Sequence, residues 1–394
     1  MRFLHTSDWH VGKALRGRDR SDEHEAVLSE IIALARERAV DFSLVCGDLF
    51  DSAAPTPDSE RIVYRALLGL AEVAPVVVVS GNHDNDRRLV AVEPLLGLGR
   101  ITTRAMLTKA DEGGVLKIAT DVGERAQIAL LPWISQRWIV KAAELMAMDA
   151  AEHAGVYAER VVEVVRRLCS GFAGDTVNVI AGHAMVAGGA TGGGERMAHT
   201  IFDYCVSPTG FPGSAHYVAL GHLHRCQQLG GQPPVWYCGS PLQLDFGETD
   251  EDKVTLVVEA TATTPASVER VPMRTGRRLR RIAGSLTDLR ALAGTTGDDF
   301  LRVVVRESAR AGLADEVRDL FGETCIDVMI ESPTERELGI EPRAHEGKSP
   351  GELFREYLTE RDALDGRVVA LFDELLEEET GGAGPEEDHE AAPA

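Results

Sequence analysis

The chain contains no apolar run approaching the roughly 20 residues that a membrane-spanning helix requires, so its sequence excludes a helical membrane span. It also lacks a CxxC pair: the cysteines Cys46, Cys169, Cys205, Cys226, Cys238 and Cys325 are scattered along the chain. That argues against a disulfide framework and against a zinc ribbon, and leaves Cys46 and Cys238 as small core residues. There is no GxSxG, hence no serine nucleophile on a strand-to-helix elbow. Gly347-Lys348-Ser349 does not make a P-loop, because the first glycine of GxxxxGK[ST] would fall at Pro342. The glycine-heavy stretch Gly188 to Gly194 is no dinucleotide fingerprint either, since it does not open a helix; it reads as a flexible loop. Met1-Arg2-Phe3-Leu4 reads as the start of a strand rather than of a signal peptide, which leads to the expectation of a cytoplasmic protein.

Positive charge is scarce: 41 Lys and Arg stand against 63 Asp and Glu, a formal net charge of −22. A nucleic-acid-binding chain normally draws on phosphate neutralisation by Lys and Arg, so this balance needs an explanation. Part of it is local, because the stretch from Asp373 to Glu390 is acidic with no Lys or Arg and reads as running into a disordered tail at 380–394. The opposite sign concentrates in Arg274-Thr275-Gly276-Arg277-Arg278-Leu279-Arg280-Arg281, either a nucleic-acid backbone contact or a solvated strand and turn edge.

What the chain does have is a series of short stretches carrying metal-seeking side chains. They are Asp8-Trp9-His10, Gly47-Asp48, Gly81-Asn82-His83-Asp84, Gly182-His183 and Gly221-His222-Leu223-His224. Short apolar runs precede them: Arg2-Phe3-Leu4, Phe42 to Cys46, Val76 to Val79, Val177 to Ile180 and Tyr217 to Leu220. Such runs, stopping near glycine, read as buried strands. In sheets covered by helices, ligands collect at the carboxyl ends of the strands, so five strands are expected to deliver side chains to one edge.

The chemistry favours two ions over one. Residues two apart in extended chain are separated by roughly 6 to 7 Å, so His222 and His224 can serve different ions of a pair about 3.5 to 4 Å apart. Asp48, with two carboxylate oxygens, is the natural bridge, and Asn82 offers a neutral carbonyl oxygen. Two dications facing only Asp8 and Asp48 as anionic ligands keep a net positive charge, which suits a phosphodiester. Metal binding brings the pKa of water toward roughly 7, so no protein nucleophile is needed. Isolated histidines (His5, His24, His153, His199, His216, His345, His389) are read as solvent-facing or satisfied polar groups without chemistry.

The series DxH, GD, GNHD, GH, GHxH resembles the calcineurin-like metallophosphoesterases. The flanking text, Ser7 to Gly12, Gly47-Asp48-Leu49-Phe50-Asp51, Ala219 to His224 and Tyr237-Cys238-Gly239-Ser240-Pro241, is similar to the SbcD-type nuclease subunits of bacterial SbcCD complexes over nearly the whole chain. The resemblance implies one ion held by Asp8, His10, Asp48 and His224, and a second by Asp48, Asn82, His183 and His222, the ions being Mn²⁺ or Mg²⁺. It implies that His83 faces the substrate and stabilises the transition state or protonates the leaving oxygen, with Asp84 expected to orient it. Asp51 stands where some archaeal relatives have a histidine that helps position DNA. Metal identity is not readable from these donors.

Between the candidate strands, Glu23 to Arg38 has helical spacing, with Val27, Ile31, Leu34 and Ala35 on one face, and Arg61 to Leu70 repeats it, giving βαβαβ. Residues 100 to 131 look strand-rich, Arg137 to Leu168 carries two helices, and Val235 to Val271 adds further strands. The expected fold is a four-layer α/β/β/α sandwich over 1–273, which the resemblance also implies. An α+β unit follows at 274–345, strand-like at Leu301 to Val305 and Ile326 to Ile330; by resemblance it caps the nuclease. The amphipathic 350–378 stretch (Leu353, Phe354, Tyr357, Leu358, Leu364, Val368, Phe372, Leu375), within a helical segment at 346–379, is by resemblance the dock for a coiled-coil ATPase, SbcC, or else folds back on the cap. The resemblance further implies a homodimer through helices of the catalytic domain, a heterotetramer with SbcC, and DNA as substrate, cut as duplex exonuclease and single-strand endonuclease. DNA affinity would then come from the metals, dimerisation and a basic partner. A phosphoesterase for small molecules or phosphoproteins shares the same motifs and is the alternative; a non-catalytic scaffold is the third reading.

Overall fold

The computed structural model describes residues 1–120, 123–135, 150–195, 205–331, 350–360, 365–369, 371–372 and 375. The tail at 380–394, the whole 332–349 stretch with the glycine-lysine-serine of 347–349, and the first of the two helices expected after Arg137 lie outside the described residues.

The chain opens β1 (Arg2–Thr6), α1 (Ser21–Glu37), β2 (Phe42–Cys46), α2 (Pro57–Val73), β3 (Val76–Val79), α3 (Asp86–Leu98) and β4 (Ile101–Arg104). Strands β1 to β4 are mutually parallel, as right-handed crossover units demand. Two antiparallel strands, β11 (Val254–Thr261) and β12 (Thr264–Pro272), extend the sheet beyond β1. A second sheet has the order β5-β6-β7-β8-β10-β9, built from β5 (Val115–Ala119), β6 (Arg125–Leu131), β7 (Val177–His183), β8 (Tyr217–Gly221), β9 (Gln227–Leu229) and β10 (Val235–Tyr237). In it β6, β7 and β8 are parallel. Helix α4 (Ala150–Cys169) lies on its outer face.

Period-two alternation divides the strand residues between layers. Phe3, Phe42, Leu44, Val77 and Val79 point inward and pack with Ile128, Leu130, Val179, Tyr217 and Ala219 of the other sheet. Leu4, Val45, Val76 and Val78 point outward, against Val27, Ile31 and Leu34 of α1 and Ile62, Val63 and Leu67 of α2. Tyr157, Val161, Val165 and Leu168 of α4 cover the far side of the second sheet. The result is the expected α/β/β/α sandwich. Helix α2 begins ahead of the Arg61 to Leu70 spacing, with Thr56 accepting from the Ser59 amide and Pro57 at the first position.

A third, three-stranded parallel sheet follows: β13 (Leu279–Gly284), β14 (Phe300–Val305) and β15 (Cys325–Ile330), with α5 (Leu286–Leu292) and α6 (Leu313–Phe321) as its crossovers. It has its own core of Leu289, Leu301, Val303, Leu313 and Val317. It meets the sandwich through Leu15, Phe246, Leu279 and Phe300, and the Arg302 guanidinium sits 4.5 Å above the Phe246 ring. Further on, α7 (Pro350–Glu360) stacks Phe354 on Phe372 at 4.0 Å. Leu358 is buried, whereas Tyr357, Val368, Leu371 and Leu375 are exposed.

Two histidines read as chemically silent prove to be buried. His5 donates from Nε2 to the Leu220 carbonyl and accepts from the Tyr217 hydroxyl, tying the two sheets together. His24 on α1 is buried with neither ring nitrogen hydrogen-bonded among the described residues, which departs from the expectation of an exposed or satisfied group. Burial, reinforced by Arg20, pulls its pKa down to about 4. Its folded pKa therefore lies below the unfolded value near 6.5, so its contribution is intact above pH 6.5 and is lost as pH falls toward 4. Between pH 7 and pH 5 this costs about 2 kcal/mol of stability. In urea unfolding at those two pH values, His24→Leu should lose about that much less stability than the parent; equal losses would show that His24 does not titrate on unfolding.

Candidate dinuclear metal centre

All five predicted stretches end at one edge of the sandwich, each just past the carboxyl end of a strand: Asp8 and His10 after β1, Asp48 after β2, Asn82 and His83 after β3, His183 ending β7, and His222 and His224 after β8. The two sheets converge there so tightly that side chains are forbidden on the backbone between them. A Cβ on Gly221 would stand 1.9 Å from the Cys46 carbonyl oxygen, and one on Gly81 would stand 2.1 Å from Asp48 Oδ1. Asp8, His10, Asp48 and His222 adopt positive φ angles of 52°, 45°, 51° and 110°. Non-glycine residues rarely do so, and such strain gathers where geometry is dictated by chemistry. Backbone bonds hold it in place: the Asp8 amide donates to Gly47 O at 3.0 Å and the His10 amide to Asp48 O at 3.0 Å.

Asp48 is the hub. The His83 amide donates to its Oδ1 at 2.8 Å, and its Oδ2 lies 3.4 Å from His10 Nε2 and 3.5 Å from His183 Nε2. One oxygen is thus anchored by backbone and the other faces both flanking imidazoles. On one side, His224 Nε2 and His10 Nε2 stand 3.1 Å apart, near Asp8. On the other, His183 Nε2 and His222 Nδ1 converge on Asn82 Oδ1 at 3.0 and 2.9 Å. Asp8 has its own anchors, the His222 amide at 2.9 Å and the Ser7 hydroxyl at 2.7 Å.

The outer ring nitrogens show which inner atoms carry lone pairs. His183 Nδ1 donates to the Cys46 carbonyl at 2.8 Å, and His224 Nδ1 donates to Glu248 Oε1 at 3.0 Å. In the neutral tautomers this leaves both Nε2 atoms as acceptors; that of His183 is aimed at the Asn82 and Asp48 oxygens, while that of His224 faces His10 Nε2. Acceptor against acceptor at 3 Å is repulsive unless a cation or a proton lies between, and the donor set of imidazole, carboxylate and amide oxygen suits divalent transition metals. Asp8, His10 and His224 form one group that could hold an ion; Asp8, Asp48 and His183 form a second, and His10, Asp48 and His83 a third.

The protonation balance shows the same demand for positive charge. Burial pushes the Asp48 carboxyl upward, but the His183 and His83 imidazoles outweigh it and hold the carboxylate well below its usual range. In return, against the opposing effect of burial, the Asp48 charge lifts His183 to about 9. Burial raises Asp8 to about 6 and lowers His10 to about 3. A proton on His183 thus does electrostatically what a cation would do.

His83 and Asp84 are close by but not arranged as expected. The two Asp84 oxygens accept from the Gly81 amide at 2.9 Å and the Phe50 amide at 3.2 Å, joining the two ligand loops. The His83 ring is oriented by the Asp51 backbone carbonyl, which accepts from Nδ1 at 2.8 Å. The Asp51 side chain lies 3.5 Å from His10 Nδ1 and 3.1 Å from Lys13 Nζ.

Several contributors were not foreseen. Trp133, just beyond β6, stacks on the His222 ring at 5.0 Å and 25°; its place after a parallel strand was the available signal. Glu248 supports His224, and the Glu195 carboxylate accepts from the His224 amide at 2.9 Å and from the Gly192 and Gly193 amides at 2.7 Å each. The loop at Gly188 to Gly194, expected to be flexible, is therefore fastened to the site at its carboxyl end. The arginine stretch lies apart from the centre. Arg278 pairs with Asp252 and Arg280 with Asp299, both at 2.8 Å, so much of its charge is balanced in place.

Among known proteins, the family model described as calcineurin-like phosphoesterase matches residues 1–226. The chain is also similar to relatives that carry the name of the SbcCD nuclease's D component. That of Bacillus subtilis (strain 168) is 28% identical, with 98% of this chain and 95% of the relative covered. That of Rhodobacter capsulatus is 34% identical over 68% of this chain and 69% of the relative. That of Escherichia coli (strain K12) is 28% identical over 74% and 73%.

Proposed function

The chain belongs to the calcineurin-like phosphoesterases and, within them, to the SbcD-type components of SbcCD nucleases, and from that premise we propose how its residues carry out metal-dependent phosphodiester hydrolysis. Asp8, His10, Asp48 and His224 would hold one divalent ion, and Asp48, Asn82, His183 and His222 the other, with Asp48, whose Oδ2 faces both His10 and His183, common to the two sets. The observation that carries this assignment is the near-equal 3.4 and 3.5 Å from that oxygen to His10 and His183. When bound, such ions supply the Lewis acidity that brings the pKa of water toward roughly 7 and the charge that stabilises a pentacoordinate phosphate. Mn²⁺ is the proposed occupant, with Mg²⁺ able to replace it; the family resemblance carries that choice, since imidazole, carboxylate and amide donors suit several divalent metals.

His83 is the catalytic residue that faces the scissile phosphate. With Nδ1–H given to the Asp51 carbonyl, Nε2 is the ring atom that would hydrogen-bond or protonate the leaving oxygen, and the ring stands edge-on to His10 at 4.6 Å. Asp84 acts one step removed, by clamping the Phe50 and Gly81 amides so that the His83 loop stays against the Asp48 loop.

DNA is the substrate, cut as duplex from its ends and as single strands at hairpins, in the cytoplasm and in company with an SbcC-type ATPase. The exposed Tyr357, Val368, Leu371 and Leu375 of the 350–378 stretch support its role as the ATPase dock. The residues 274–345 are the cap. Where it meets the turn at Phe246 to Asp250, a cleft of about 720 Å³ lined by Arg278, Arg280, Arg281 and Arg306, together with Asp250 and Asp299, is the candidate contact for a nucleic-acid backbone. On the sandwich, Leu68, Val90, Leu95 and Leu98 are 49%, 42%, 70% and 86% exposed, apolar surface on α2 and α3 that supports a homodimer there.

Two experiments test the account. On labelled duplex DNA and on bis-p-nitrophenyl phosphate, Asp48→Ala should lose both bound manganese and activity, whereas His83→Ala should keep its manganese and cleave about 10²- to 10⁴-fold more slowly. A parental rate for His83→Ala would remove it from the chemistry, and hydrolysis of the small diester without DNA cleavage would favour a small-molecule phosphoesterase. In sedimentation velocity, Leu95→Asp with Leu98→Asp should convert a dimer to a monomer; an unchanged sedimentation coefficient would place the dimer face elsewhere.

A further inference from the structure

Resting on the two-ion reading above, we infer that Glu248 is a positioning residue that makes the Asp8, His10 and His224 half of the centre hold its ion more tightly than the Asn82, His183 and His222 half. The two halves differ in what stands behind their imidazoles. His224 Nδ1 donates to the carboxylate of Glu248, a fully buried side chain, at 3.0 Å. His183 Nδ1 donates to a neutral peptide carbonyl, that of Cys46. A carboxylate behind a coordinating imidazole fixes its tautomer and raises the basicity of the opposite nitrogen, and losing one typically weakens metal affinity about 10- to 100-fold. Asp8 and Asp48 group with His183 as well as lying near His10 and His224, so the carboxylate behind His224 is what distinguishes the first half from the second.

Glu248 is built for this position. Its other oxygen accepts from the Leu244 amide at 3.0 Å and from Lys253 Nζ at 2.7 Å. Lys253 also donates to the His224 carbonyl at 3.0 Å, and Glu195 takes the His224 amide at 2.9 Å. The residue is thus gripped at its amide, its carbonyl and its ring by three charged side chains. The polyglycine loop makes room for the arrangement: a Cβ on Gly194 would meet Glu248 Oε1 at 2.3 Å and His224 Nδ1 at 2.8 Å.

The test is a titration of the metal-free full-length protein with MnCl₂, following free Mn²⁺ by electron paramagnetic resonance, alongside thermal melting of the metal-free forms. The parent should bind two ions in two steps, the first at least 10-fold tighter. Glu248→Gln, which keeps the volume and a hydrogen-bonding group but removes the charge, should weaken the first step about 10- to 100-fold and leave the second within about 3-fold. Glu248→Asp, which keeps the charge but shortens its reach to the ring, should do the same and decides the matter if Glu248→Gln fails to fold. Two equal steps in the parent, an unchanged first step in both variants, or equal weakening of both steps would overturn the inference while leaving two ions in place. A parent that binds fewer than two ions would instead overturn the two-ion reading on which it rests.

Discussion

A carboxylate buried at the seam between two sheets is the constraint around which this molecule is organised. Asp48 is almost wholly withdrawn from water, and an ionised group in that setting is tolerated only when its charge is returned by neighbours. One oxygen takes the His83 amide and the other faces His10 and His183, each supplied by a different strand end. The fold brings those strand ends together by letting backbones touch where a side chain would collide, at Gly81 and Gly221, and by bonding across the seam from His5 to Leu220 and from His183 to Cys46. The positive φ angles of Asp8, His10, Asp48 and His222 are the local cost of aiming these groups at one point.

Around that point, polarity is layered. Innermost are lone pairs facing lone pairs; next come the groups that hold each imidazole, a carboxylate for His224, a carbonyl for His183, an aromatic face for His222. Outside these sit the charges that steady the carboxylates, Lys253 beside Glu248 and Lys13 beside Asp51. Cations held at such a centre would set the field that an anionic substrate meets, which reconciles that substrate with a net charge of −22.

The inner layer was legible because each of its stretches comes after an apolar run and has a glycine-bearing turn before or behind it, a local pattern with a structural cause. The alternation of β1 to β3 and the face of α1 were legible for the same reason, and the four-layer sandwich followed from them. The supporting layer was not. Glu248 reaches His224 through space, across a turn whose spacing obeys no periodic rule, and Glu195 does so through a loop whose glycine content suggested freedom, not attachment. Asp84 was expected beside the His83 ring because it is adjacent in sequence, yet its oxygens meet two backbone amides and the Asp51 carbonyl takes the ring instead. His24 looked like an ordinary surface histidine because helical periodicity was judged on its apolar neighbours alone; it sits on the same buried face.

The central claim is that two cations share the Asp48 carboxylate. Anomalous diffraction from crystals grown in manganese, collected on either side of the manganese absorption edge, addresses it most directly. The account predicts two anomalous peaks per chain about 3.5 to 4 Å apart, flanking Asp48 with His10 and His224 on one side and His183 and His222 on the other. A single peak, or two peaks that do not both contact Asp48, would contradict it.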